Sequence, residues 1–268
     1  CGIRGAVPGG CHSFCASHHH NRTMTSTLRI AHCSDIHLDG DSYRDGVNGR
    51  DCFRAGFDRT LAAIRAHNPA LMLLAGDLFD SNAPSVDTVH WAMDILAAQP
   101  FPIAMIPGNH DCMAADSVYH RHDFNRIDNV RMLSAETGET TQYDALSVAV
   151  WGKGMVEHAP EYIPLAGCPK RPEGCRWYLG MGHGIHVPHG GSTGRSSQIH
   201  MQDIEDSPCD YLALGHHHAA LEVHSDTTAA AYCGSPTDTV GRGATYAIVE
   251  LSSVAPPETR IHELDFPD

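Results

Sequence analysis

Ile103-Ala104-Met105-Ile106-Pro107-Gly108-Asn109-His110-Asp111 passes from wholly apolar to wholly polar within one short stretch. The apolar half reads as a buried strand, and Pro107 with Gly108 reads as the tight loop that ends it. Such strand ends are where α/β proteins place their chemistry. Asn109 supplies a neutral amide oxygen, His110 an imidazole and Asp111 a carboxylate. Taken alone, Gly108 to Asp111 would be a turn with an acidic cap. The same vocabulary of Gly, Asp and His recurs after other apolar runs, and that recurrence decides the reading.

Upstream, Leu28 to Cys33 is β-like and ends in Ser34-Asp35-Ile36-His37. Asp35 and His37 are two apart, so an extended or tightly turned backbone points both to one side. Arg50 to His67 reads as a helix, because Phe53, Phe57, Leu61 and Ile64 recur at helical spacing and Asn68-Pro69 stops it. Leu71 to Ala75 is apolar throughout, which suits a strand buried on both faces, and it ends in Gly76-Asp77. Asp80, Ser81 and Pro84 introduce a second helix over Ser85 to Ala98. Strand, helix, strand, helix, strand implies parallel pairing.

Downstream, His120 and His122 fall in Asp116 to Asp128, read as a solvated segment, and Val130 to Leu133 and Ala145 to Trp151 read as strands. Trp151 to Gly174 reads as loop with a short helix. Tyr178 to Met181 runs into Gly182-His183, followed by a Gly-rich loop over His186 to Arg195 that reads as mobile. Tyr211 to Leu214 runs into Gly215-His216-His217-His218, where alternation puts His216 and His218 on one side and His217 on the other. Ala229 to Tyr232, a turn at Gly234-Ser235-Pro236, and Ala244 to Leu251 complete the strands. With no internal repeat or linker, the expectation is one domain over 27–254, preceded by a disordered leader at 1–26 and followed by a C-terminal tail at 255–268.

The 268 residues are 42% hydrophobic, enough for one sizeable core, and no apolar run approaches the ~20 residues that span a bilayer. No membrane association is expected. The net charge of −14 disfavours tight nucleic-acid binding by the bare chain, although bound dications would reverse the sign locally. Ten Cys without regular spacing read as buried small hydrophobes in a reducing compartment, which points to the cytoplasm.

The strand-end donors are Asp35, His37, Asp77, Asn109, His183, His216 and His218: two carboxylates, one amide and four imidazoles. That is more than one ion needs and suits two, provided a carboxylate bridges. Mixed oxygen and nitrogen donors without thiolate fit Mn²⁺ best, with Fe or Zn²⁺ as alternatives, and do not suit Ca²⁺. Ions paired about 3.5–4 Å apart activate water and clamp the attacking and leaving oxygens of an in-line displacement, which fits phosphoester hydrolysis.

These residues resemble the calcineurin-like metallophosphoesterases, whose signature is D-x-H, G-D, G-N-H-[DE], G-H and G-H-x-H in that order. Asp35-Ile36-His37, Gly76-Asp77, Gly108-Asn109-His110-Asp111, Gly182-His183 and Gly215-His216-His217-His218 match all five, and the likeness runs from Leu28 to Leu251. The resemblance implies an α/β fold of two mixed β-sheets packed as a sandwich and flanked by helices. It implies one ion on Asp35, His37 and His218, a second on Asn109, His183 and His216, and Asp77 between them. His110 would stabilise the phosphoryl transition state or protonate the leaving oxygen, with Asp111 orienting its ring.

Ser34 to Leu38, Gly76 to Asp80, Leu212 to His216 and Gly234 to Pro236 look like DNA-repair exonucleases of the SbcD type. That likeness implies DNA or a nucleotide as the phosphoester substrate and, for a repair nuclease, a partner ATPase. Those nucleases carry histidine three residues after the bridging Asp. Asp80 stands there in this chain and is expected at the site rim, where its charge would repel a nucleic-acid backbone. The reading is a dinuclear metal-dependent phosphoester hydrolase, a phosphodiesterase. Its alternatives are a phosphomonoesterase or cyclic-nucleotide phosphodiesterase and, from another class, a catalytically silent metal-binding scaffold for a partner protein.

Overall fold

The computed structural model describes residues 1–2, 26–40, 49–223, 225–237 and 243–264, so the leader expected at 1–26 lies almost wholly outside the described residues. Four parallel strands come first: β1 (Thr27–Cys33), β2 (Leu71–Ala75), β3 (Ile103–Ile106) and β4 (Val130–Met132). Two of the crossovers carry α1 (Gly49–Ala66) and α2 (Val86–Ala97), and α3 (Val118–Arg121) is a single turn before β4. The chain then builds β5 (Glu139–Tyr143), β6 (Val148–Gly152) and β7 (Trp177–His183). The short parallel pair β8 (Ile185–Val187) and β9 (Gln198–His200) follows, then α4 (Met201–Glu205). Next come β10 (Tyr211–Gly215), β11 (Leu221–Val223) and β12 (Ala229–Tyr232). Finally β13 (Ala244–Ser252) and β14 (Ala255–Leu264) return to the first sheet.

The result is two six-stranded mixed sheets, ordered β14-β13-β1-β2-β3-β4 and β11-β12-β10-β7-β6-β5. The period-two geometry of a strand explains how they stack. Leu71, Leu73 and Ala75 of β2 pack against Val150, Leu179, Met181 and Ala213 of the other sheet. Met72 and Leu74, on the opposite face, pack against Phe57, Leu61 and Ile64 of α1 and Val89 and Leu96 of α2. On the far side Trp151, Tyr178, Leu212 and Leu214 meet Met201 and Ile204 of α4. Helix, sheet, sheet, helix is the sandwich that the family resemblance implied, and among the described residues no helix is long and apolar enough to cross a membrane.

Several segments differ from the sequence reading. The stretch taken as a tail is β14, paired antiparallel with β13 over most of its length. Pro256 and Pro257 disguise it, yet proline is tolerated at the start of an edge strand, where a missing N–H breaks no ladder. The edges β5 and β11 also go beyond the sequence reading, because polar residues dilute their alternation. The loop at 151–174 holds turns and no helix. The segment at 116–128 is not wholly solvated: Ser117 caps α3, which buries Val118 and Tyr119. Of the eight described cysteines, only Cys33, Cys209 and Cys233 are buried, and none is in a disulfide.

Candidate metal centre

The loops after β1 and β2 run side by side, zippered by backbone bonds. Asp35 N–H donates to Gly76 O at 3.1 Å, Ile36 N–H to Asp77 O at 2.8 Å and Leu38 N–H to Leu78 O at 2.9 Å. This ladder sets Asp35 and His37 beside Asp77. Asp35, His37, Asp77 and His216 all take positive φ, at 56°, 54°, 52° and 94°. The second sheet delivers His183 from the end of β7 and His216 and His218 from just beyond β10, strands that pair in register as far as Gly215 and His183. The two sheets approach so closely here that a Cβ on Gly215 would strike the Ala75 carbonyl.

All seven donors converge. Bonds of about 2.0–2.2 Å at ordinary coordination angles separate neighbouring ligand atoms by roughly 2.8–3.6 Å. Asn109 Oδ1 lies 2.7 Å from His216 Nδ1 and 3.1 Å from His183 Nε2, and His183 Nε2 lies 3.2 Å from Asp77 Oδ2. In the other set His37 Nε2 is 3.1 Å from His218 Nε2, His218 Nε2 is 3.7 Å from Asp35 Oδ1, and His37 Nε2 is 3.8 Å from Asp77 Oδ2. Asp77 Oδ2 thus belongs to both sets. It is buried and, with His183 neutral and its proton on Nδ1, has no hydrogen-bond partner, while Oδ1 accepts the His110 N–H at 2.9 Å. A buried carboxylate oxygen left unpaired is costly, and a cation on either side would satisfy it.

The electrostatics ask for positive charge at the same place. Burial opposes protonation of His183, but Asp77 outweighs it and lifts the imidazole to about 9. Burial likewise favours a neutral Asp77, and the His183, His37 and His110 rings overcome it to hold the carboxyl well below the usual carboxylate range. Burial, reinforced by the neighbouring His183 charge, pushes His216 down to about 3. His183 donates its Nδ1–H to Ala75 O at 2.8 Å, which aims Nε2 at Asp77 and Asn109.

His110 is more exposed and packs edge-on against the His37 ring, with centroids 4.7 Å apart. Its Nδ1–H donates to the Asp80 carbonyl at 2.8 Å, leaving Nε2 as the nitrogen that exchanges a proton. Asp111, read as the group that orients this ring, does something else. It is buried and accepts from Gly108 N–H at 2.7 Å, Phe79 N–H at 3.1 Å and Tyr119 Oη–H at 2.6 Å. The role that the resemblance implied does not hold here, because the loop turns Asp111 inward while His110 faces out. Asp80 is the orienting residue, and its carboxylate is no free charge at the rim: Oδ1 accepts His37 Nδ1–H at 3.0 Å. His217, expected to face away, is not among the converging donors: its Nδ1–H donates to Ala219 O at 2.7 Å, although the residue lines the same cleft.

An open cleft of ≈ 490 Å³ over this centre is lined by Asp77, His110, His216 and His218, with Arg195 on its wall. His158 stands beside it, its ring 5.8 Å from that of His216. Neither Arg195 nor His158 follows an apolar run, so nothing in the local sequence marked them.

Two facing mixed sheets with Asp, Asn and His donors gathered where their strand ends meet define a metal-dependent phosphoesterase. Residues 28–231 match the model of the calcineurin-like phosphoesterase family, and the chain belongs to that family. It is 27% identical over 222 residues to the DNA double-strand break repair protein Mre11 of Methanosarcina acetivorans, covering 79% of this chain and 34% of that protein. Against the Mre11 of Archaeoglobus fulgidus it is 24% identical over 227 residues, covering 78% of this chain and 50% of the other. The chain therefore spans half or less of the length of these relatives. Its fold is similar to that of a dimetal phosphatase from Danio rerio, with a TM-score of 0.55 at 10% identity, covering 87% of this chain and 98% of that one.

Proposed function

We propose that this chain is a phosphodiesterase that works with two divalent ions, Mn²⁺ by preference, on short or single-stranded nucleotide diesters. The observation that carries the two-ion reading is Asp77 Oδ2, a buried oxygen that lies between two sets of donor atoms and has no hydrogen bond when His183 is neutral. Asp35, His37 and His218 would hold one ion, Asn109, His183 and His216 the other, with Asp77 shared. Bound there, the ions would supply an activated water and neutralise the charge that develops on the phosphoryl oxygens.

The chain's own residues do the rest. Asp80 fixes both the His37 and the His110 tautomers. His110 presents Nε2 to the cleft and, when protonated, gives that proton to the departing alkoxide. Asp111 stiffens the loop that carries Asn109 and His110 through its bonds to Gly108 and Phe79. The Mre11 likeness supports a nucleic-acid diester, and the net charge of −14 supports a short or single strand over a long duplex.

The test is a panel with Mn²⁺: a bis-aryl phosphodiester, single- and double-stranded DNA, a cyclic nucleotide and a phosphomonoester. Diesters and single strands should be hydrolysed, with activity lost on chelation. Faster hydrolysis of the monoester, or processive digestion of duplex DNA at physiological salt, would reverse the assignment.

A further inference from the structure

The loop between β8 and β9 is tied down at its base. Ile185 N–H donates to Ser197 O at 2.9 Å, and the Gln198 amide donates to Thr193 O at 3.1 Å and to Arg195 O at 2.9 Å. Gly184 lets this base close, because a Cβ there would strike the Ser197 carbonyl. The Arg195 backbone is therefore held, while its side chain reaches the wall of the cleft that contains Asp77, His110, His216 and His218.

Among the described residues that line the cleft, Arg195 is the one permanent cation. Other arginines of the described chain are engaged: Arg29 with Glu250, Arg54 with Asp87, Arg171 with Asp210 and Arg260 with Glu258. A guanidinium is a planar fork of donors suited to two oxygens of one phosphate. Arg195 lines the cleft together with His216, a member of the Asn109, His183 and His216 set. His110 packs on His37, in the other set. The cleft thus has a proton donor on one flank and a fixed cation on the other.

We propose that Arg195 is the substrate-anchoring residue, its guanidinium hydrogen-bonding the non-bridging oxygens of the scissile phosphate from the flank opposite His110. The inference rests on the phosphoesterase reading and adds to it the group that seats the anion. An anchor of this kind acts on binding more than on the chemical step, so its signature is in KM.

The experiment compares Arg195→Gln, Arg195→Lys and Arg126→Gln in the Mn²⁺-loaded full chain. Arg126 pairs with Asp123 at 3.6 Å, is highly exposed and lies outside the cleft, so its substitution removes the same charge elsewhere. Two readouts are taken: KM and kcat on a bis-aryl phosphodiester, and inorganic phosphate binding by calorimetry. Arg195→Gln should raise KM and the phosphate Kd by roughly 10-fold or more with kcat within about 3-fold, the worth of a charge-assisted pair. Arg195→Lys should fall between, and Arg126→Gln should match wild type. Unchanged phosphate affinity in Arg195→Gln, or a loss confined to kcat, overturns the anchor. Phosphate binding that needs Arg195 in a protein that hydrolyses no phosphoester would leave the anchor standing and bring down the phosphoesterase reading alone.

Discussion

Asp80 touches two imidazoles with two different atoms, its carboxylate on His37 and its carbonyl on His110. The two contacts separate on mutation. Asp80→Ala keeps the carbonyl and removes the carboxylate, so His37 loses the partner that aims its Nε2. Metal affinity should fall by roughly 10–100-fold, the usual cost of losing such a partner, as titration with Mn²⁺ would show. His110→Ala should retain both ions and lose roughly 10²–10⁴ in turnover. Elemental analysis showing a lost ion in His110→Ala would move that residue into the ligand set. At this scale the sequence was a good guide to which residues meet and a poor one to their pairings. Four of the seven donors, Asp77, Asn109, His183 and His216, follow a glycine at a strand end, and the other three lie within four residues of a strand end. Whether Asp80 or Asp111 serves His110 depends on which way the loop turns, and residue type does not encode that.

The strand-end loops are the elements that make the site, and their backbone is unusual. Asp35, His37, Asp77 and His216 sit in the left-handed region, where a side chain costs about 1–2 kcal/mol relative to the right-handed one. The cost is met by the ladder between the β1 and β2 loops and by the packing behind it. At φ 54°, His37→Gly should unfold at higher denaturant than His37→Ala in metal-free protein, by about 1 kcal/mol, although both lose the same ligand. Equal midpoints would mean that the loop relaxes when the ring is removed. The interior strands that end in ligands were legible because burial on both faces leaves unbroken apolar runs. The edges β5, β11 and β14 were not, since half-exposed strands mix polar residues into their pattern.

Seen whole, the molecule draws Asp35, His37, Asp77 and Asn109 from one sheet and His183, His216 and His218 from the other. Ions bound between them would tie the two sheets together at one end of the sandwich. Binding to the folded state alone adds stability that grows with ligand excess, about 2.7 kcal/mol at a hundredfold excess over Kd. For a domain of this size that corresponds to a rise in Tm of roughly 5–10 °C. Scanning calorimetry with and without chelator would measure it, and identical melting curves would mean that no ion binds the folded chain in preference to the unfolded one. The sandwich itself was legible only through the family resemblance that the five strand-end motifs carry. Its strand order was not, since that depends on long-range partners such as β1 and β13.

That last pairing has a consequence in time. The chain lays down β1 to β4, leaves to build the whole second sheet, and returns to the first with β13, which pairs antiparallel with β1 from Thr27↔Ser252 to His32↔Ala247. On the ribosome, β1 therefore has only β2 beside it until more than two hundred further residues have been added. At about 5–20 residues per second this is roughly 10–40 s. All seven donors have been synthesised before that edge is covered, since His218 precedes β13. The nascent protein thus carries all seven candidate donors while an unpaired strand edge, open to any other extended chain, is still waiting for its partner.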